Sequence, residues 1–244
     1  MKVIPVIDLR GGLAVHARMG RRELYRPIRT PLARTSLPVD VVGGIISIYP
    51  FETLYIADLD AIEGSGNNRA SIVDLKEAFP RVRFWVDSGI ADPETAARWL
   101  PLGIDLVLGS ETQTDISTVS HFSGDCRFVL SLDFRDAAFQ GPSTLLVHAN
   151  CWPARVIVMT LDRVGSQSGP DLERLRAVKA AAKDRAIYAA GGVRDADDLQ
   201  SLMNAGIAGA LIASALHSGQ ITAADIHALQ NKPRQRATGS SPLP

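Results

Sequence analysis

An α/β barrel, (β/α)8, is the fold that this chain predicts, and three observations carry the prediction. Short apolar runs alternate with helical stretches, and eight such strands fit into about 230 residues, too many for a six-stranded doubly wound sheet, the structural alternative. The runs are apolar at nearly every position, the pattern of strands buried on both faces. The chain also repeats: Ser88 to Ile104 aligns without gaps to Gly191 to Ile207, and Asp60-A-I-E-G-S-G parallels Asp162-R-V-G-S-Q-S-G. Two half-barrel repeats, about 1–125 and 126–231, are the simplest account of one barrel spanning 1–231.

The first strand is the clearest. K-V-I-P-V-I-D-L-R-G-G (Lys2 to Gly12) runs apolar into Asp8, at the strand end where parallel α/β folds place their ligands. Its echo is F-V-L-S-L-D-F-R-D (Phe128 to Asp136), with Asp133 in the place of Asp8 and Arg135 in that of Arg10. Between strand 1 and Ser36 lies an arginine-rich stretch that reads as a short hairpin followed by a mobile loop. Pro38 to Ile48 is an amphipathic helix, and Leu54 to Asp60 a strand whose alternation would put Asp58 and Asp60 on one side.

Helices are expected over Ala70 to Phe79 and from Asp92, as cap, to Leu100. Strands are expected over Val82 to Ser88, Ile104 to Ser110 and Arg127 to Phe134. Residues 135–153 show too little periodicity for a full crossover helix. Arg155 to Leu161 is the sixth strand, and Pro170 opens a helix whose first turn needs no N–H from it. Ala186 to Ala190 and Ala208 to Ala213 complete the strands, with helices at Asp195 to Ala205, near Ala215, and over Ala223 to Gln230. The Pro/Ser/Gly/basic tail, 232–244, reads as disordered.

Bulk composition narrows the function classes. Twenty-six basic and 26 acidic residues cancel, which argues against nucleic acid or a membrane surface as partner. Cys126 and Cys151 are too few for a disulfide framework and lack metal spacing, so a reducing cytoplasm is the expected setting. No apolar run approaches membrane-spanning length and no signal peptide precedes strand 1.

Two kinds of chemistry remain for the barrel mouth. Glycines at strand ends let backbone amides approach an anion. They occur after strands 7 and 8 (Gly191, Gly192, Ala213, Ser214), extended by Gly165 and Ser166 after strand 6, and again after strands 3 and 4 (Gly89, Gly109, Ser110). The first group occupies the usual phosphate position of such barrels; in the second, Asp87 would repel an anion. All of these glycines could equally be tight turns. Acid–base work falls to Asp8 and Asp133, expected on opposed strands and able to act on opposite sides of one substrate. Arg18 and its neighbours would close over an anionic ligand. Asp58, Asp87 and Asp162 are secondary acidic candidates, and Asp58, Asp60 and Asp87 leave open a hard cation such as Mg²⁺. No lysine ends a strand, which disfavours Schiff-base chemistry. His16, His121, His148, His217 and His227 show no metal-ligand spacing, so neither metal nor cofactor is assigned.

P-V-I-D-L-R-G-G, S-G-I-A-D-P-E-T, V-L-G-S, L-S-L-D-F and A-A-G-G-V-R-D-A-D-D-L resemble the histidine-biosynthesis isomerase/cyclase family of half-repeat TIM barrels over about residues 1–230. The likeness leans toward its phosphoribosylformimino-AICAR-phosphate isomerase, which opens an aminoaldose ring by an Amadori rearrangement. It implies acid and base at Asp8 and Asp133, and phosphate sites at Gly89, Gly109 and Ser110 and at Gly191, Gly192, Ala213 and Ser214. The chain departs from the family pattern at Asp87-Ser88-Gly89, Asp162-Arg163-Val164 and Ala213-Ser214, and it is similar to divergent relatives in methanogens and methylotrophs. Those relatives are linked to one-carbon cofactor synthesis of the methanopterin or methanofuran type. The expected activity is therefore isomerisation of a phosphorylated sugar or aminosugar. A different reaction on the same scaffold and a non-catalytic phosphate-ligand binder are the alternatives.

Overall fold

Eight parallel strands close on themselves: β1 (Lys2–Arg10), β2 (Thr53–Asp58), β3 (Arg83–Asp87), β4 (Asp105–Gly109), β5 (Phe128–Arg135), β6 (Arg155–Thr160), β7 (Ala186–Ala190) and β8 (Gly209–Ile212). Each pairs with the next, and Lys2 opposite Gly209 joins β8 back to β1. The computed structural model describes residues 1–231 apart from 137 and 167, with the backbone alone for 230 and 231. The tail expected to be disordered, 232–244, lies outside the described residues.

Period-two alternation divides every strand between two cores. Ile4, Tyr55, Trp85, Val107, Val129, Ile157, Tyr188 and Leu211 fill the barrel interior. Trp85 and Tyr188 meet edge to face there, ring centroids 5.0 Å apart, and plug the floor. The alternate residues, such as Leu9, Ile56, Phe84 and Leu130, pack outward against the surrounding helices. Whatever follows the interior residues at the C-terminal ends of the strands must therefore face the mouth.

Several local expectations change. β2 stops at Asp58, and residues 59–62 form a helical turn, so Asp60 is not on the strand. Asp58 is fully buried as the cap of that turn. It accepts from Ala61 N at 3.2 Å, Asn68 N at 2.7 Å and Asn68 Nδ2 at 2.6 Å. Asp58→Ala would strand three donors and is expected to lower unfolding free energy by about 3 kcal/mol in urea melts. Pro170 precedes its helix, which runs Leu172–Ala181 with Asp171 as cap. Asp92 caps as expected, accepting from Thr95 N, and Asp195, expected inside its helix, is the cap of Ala196–Asn204, accepting from Asp198 N.

Long loops cover the mouth. β1 continues past Asp8 to Arg10 and turns into a hairpin with Leu13–His16, which pairs in turn with Arg26–Pro27. The arginine-rich stretch expected to be a mobile loop is anchored by Tyr25 and Ile28, both buried. β5 carries a matching short strand, Ala138–Gln140, then only brief helical turns before β6, as the weak periodicity implied. Trp152 in that connection is buried on the outer face, its Nε1 donating to Leu145 O at 2.7 Å, away from the mouth. Among the described residues no helix is long and apolar enough to cross a membrane.

Candidate functional site

A cavity of about 120 Å³ opens at the C-terminal ends of the strands, lined from β1 by Asp8, from β3 by Asp87 and from β5 by Asp133. Each continues its strand's inward-facing set: Val6 then Asp8, Trp85 then Asp87, Ser131 then Asp133. Burial lifts all three carboxyl groups to a pKa of about 7. Arg22 partly offsets this at Asp8, whereas Asp133 adds to it at Asp87 and Glu111 adds to it at Asp133.

The three carboxylates differ in their company. Asp133 accepts from Ser131 Oγ at 2.6 Å, Ser110 Oγ at 3.2 Å and Glu111 N at 3.3 Å. Asp87 accepts from Gly89 N at 3.2 Å and, at the long distance of 3.4 Å, from Tyr55 Oη. Burial and the nearby carboxylates hold that phenol well above its ordinary pKa. Among the described residues, the Asp8 carboxylate receives no hydrogen bond. β4 contributes a glycine to this layer, and the reason is space. A Cβ on Gly109 would lie 3.2 Å from Asp87 Oδ2 and 3.5 Å from Asp133 Oδ2.

The other end of the cavity is a backbone cradle. Gly165, Gly191, Gly192, Val193, Ala213 and Ser214 line it. Gly191 and Gly192 hold φ of +101° and +85°, and a Cβ on Gly191 would meet Thr160 O at 2.5 Å. Only glycine fits there. Among the described residues, the amides of Gly165, Gly191, Gly192, Val193 and Ala213 donate to no protein acceptor in the loop hydrogen bonds. Five amide donors without protein acceptors, several on adjacent residues, make an anion-binding concavity. Ser166 lies outside the lining, its Oγ donating to Arg163 O within its own turn at 2.9 Å.

The β3/β4 end is arranged oppositely. Gly89, Gly109 and Ser110 do not line the cavity. The Gly89 amide is already given to Asp87, and buried Ser110 donates to Gln140 O at 2.7 Å. Of the secondary acidic candidates, only Asp87 reaches the cavity. Asp58 faces outward as a cap, and Asp162 accepts from Asp136 N at 3.0 Å, tying the β5 and β6 loops together. No group of three or more His, Cys, Asp or Glu residues among the described residues is arranged to hold a metal ion.

Four lining residues escaped the sequence reading as site candidates: Arg22, Glu111, His16 and His217. Arg18, the expected clamp, is exposed and outside the lining, whereas Arg22 enters it and pairs with Glu111 across the mouth. Arg10 Nη1 holds the Arg22 carbonyl at 2.6 Å. Met19 N donates to Val164 O at 2.7 Å and ties the same loop to β6. His217 Nδ1 lies 3.0 Å from Thr30 Oγ1; burial, then the nearby His16, lowers its pKa to about 4.

The comparisons agree with this geometry. The family model described as "Histidine biosynthesis protein" matches residues 2–222. The phosphoribosyl isomerase A of Streptomyces coelicolor is 32% identical over 241 residues, covering 91% of this chain and 95% of the relative. An uncharacterized protein of Methanocaldococcus jannaschii is 30% identical over 237 residues, 95% of this chain and 99% of the relative. An imidazole-4-carboxamide isomerase of Methanosphaerula palustris is 28% identical over 240 residues, 91% of this chain and 96% of the relative. A barrel with aspartates at the ends of β1 and β5, matched over nearly its whole described length, thus belongs to the histidine-biosynthesis protein family, among its isomerase-like members.

Proposed function

We propose that this protein isomerises a phosphorylated aminoaldose to the corresponding aminoketose, with Asp8 and Asp133 as the acid–base pair. The observation that carries the reading is one cavity with a cradle of free amides at one end and, at the other, carboxyl groups poised near neutrality. The family relationship points the same way, since the Streptomyces coelicolor relative is named as a phosphoribosyl isomerase.

In the reaction so read, the phosphate settles on the amides of Gly191, Gly192 and Val193, with Gly165, Ala213 and Ser214 beside it. Protonated Asp133 gives its proton to the ring oxygen as the C1–O bond breaks, and the lone pair of the C1 nitrogen forms an iminium. Asp8 takes the proton from C2, giving an enaminol. Loss of the C2 hydroxyl proton and gain of a proton at C1 complete the aminoketose, with all atoms conserved. The two aspartates can also act in the reverse assignment. Arg22 and its loop exclude water above them.

A base must be ionised and an acid protonated, and both groups titrate at about 7. The profile of kcat/KM is therefore expected to be a bell centred near pH 7, falling about tenfold per unit on each flank. Incubation of the purified protein in deuterated water with phosphorylated aldoses and aldosylamines, followed by NMR, tests the reaction class. Deuterium at C1 or C2 and a ketose product are expected; unchanged ligands that nonetheless bind would mark a non-catalytic binder. The alternative of a different reaction on this scaffold, such as a cofactor-forming condensation or lyase step, is favoured by Asp87 in the cavity. It predicts a product of altered mass in the same experiment.

A further inference from the structure

We infer that the β3/β4 end of the cavity is a seat for a protonated amine, so that the substrate carries one phosphate, at the β6–β8 cradle, and, besides its C1 nitrogen, a cationic nitrogen facing Asp87, with Asp133 beside it. This rests on the proposed reading of the cradle and adds what the opposite end accepts.

The two ends are built from similar strand-end turns but differ in what their amides hold. At β6–β8 the amides of Gly165, Gly191, Gly192, Val193 and Ala213 donate to no protein acceptor among the described residues. At β3/β4 the protein's own carboxylates take that place: Gly89 N donates to Asp87 Oδ1 at 3.2 Å and Glu111 N to Asp133 Oδ2 at 3.3 Å. A second phosphate would meet donors already committed and two carboxylates that converge on Gly109, within 3.2 and 3.5 Å of a single added Cβ. An ammonium would meet acceptors from both. Asp8, from β1, lines the same cavity, receives no hydrogen bond among the described residues and adds a third carboxyl group to this layer. The one cation reaching these carboxylates among the described lining residues, Arg22, is held by Glu111 and leaves the acidic layer in excess.

The test is calorimetric titration of the full chain at pH 7. Its probes are inorganic phosphate, a length series of ω-aminoalkyl phosphates with their ω-hydroxy counterparts, glucosamine 6-phosphate against glucose 6-phosphate, and fructose 1,6-bisphosphate. Inorganic phosphate should bind and compete with every organic probe. At least one chain length should show the amine about tenfold tighter than its hydroxy counterpart, and the bisphosphate should bind no tighter than the monophosphates. Asp87→Asn should shrink the amine preference to within about twofold while leaving inorganic phosphate affinity unchanged. Equal affinity of amine and hydroxy forms at all lengths, or a bisphosphate about tenfold tighter, would overturn the amine seat and leave the cradle standing. Absence of inorganic phosphate binding would overturn the cradle itself.

Discussion

Asp8→Asn and Asp133→Asn should each lower kcat by about 10³-fold on any substrate that deuterium incorporation identifies, with circular dichroism and, at pH 4, urea midpoints close to those of the parent chain. Both changes preserve side-chain volume in a layer that lines a cavity, and burial already favours the neutral form of each carboxyl group. The fold therefore has little reason to notice them. Exchange at C2 separates the two roles. The variant that loses its base should lose solvent exchange along with turnover. The variant that loses its acid should retain exchange on a ring-opened substrate analogue. Either variant with full activity would remove that aspartate from the mechanism, and a parallel collapse of urea stability would reassign it to holding the loops.

Asp87→Asn is expected to stabilise the protein at alkaline pH. The sign follows from the direction of the shift. Burial first, then Asp133, raises the Asp87 pKa from 3.8 to about 7 in the folded protein. The folded state then holds its proton more tightly than the unfolded chain does. That advantage is fully present below about pH 4 and is lost as pH rises through 7. Asparagine carries no such penalty. At pH 8 the variant should gain about 2 kcal/mol over the parent chain in urea denaturation. That is less than the full shift would allow, because Asp133 ionises more readily once its neighbour is neutral. At pH 4 the two should agree to within about 0.5 kcal/mol. An equal loss of stability at both pH values would show instead that the bonds from Gly89 and Tyr55 make Asp87 a structural anchor. A gain at pH 8 together with a lost amine preference would mean that the site keeps an unfavourable charge for binding.

Much of this was legible along the chain. Asp8 and Asp133 stand out because an apolar strand that ends in a carboxylate leaves it few places to go but the mouth. The repeated G-G-V-R-D and S-G-I-A-D turns both drew attention as anion sites, since glycine after a strand permits a backbone approach that other residues forbid, but only the first lines the cavity. Yet those two turns behave differently. In one, the amides of Gly191, Gly192 and Val193 donate to no protein acceptor among the described residues; the other gives an amide to Asp87, a difference that depends on where a carboxylate two residues away is pointing.

Asp58 and Asp87 make the limit plain. Each is an aspartate closing a parallel strand, and one lines the cavity while the other caps a turn outside it. Alternation determines which residues of a strand share a face, so the pattern paired Trp85 with Asp87 and Ala57 against Asp58. Which set turns inward is decided by closure of the barrel, through the register of each strand on its neighbours. Arg18 and Arg22 differ by about one turn of loop, and local sequence does not choose between them. Tyr25 and Ile28 sinking into the protein, with Met19 bonded to the β6 loop, aim Arg22 at the carboxylates and leave Arg18 in solvent. Local pattern by itself determined the strands, the Asp92 cap and the paired aspartates, because these follow from burial and backbone geometry within one segment. Only the tertiary structure decided which acids share the cavity and which arginine covers it, because those depend on contacts between segments far apart in the chain.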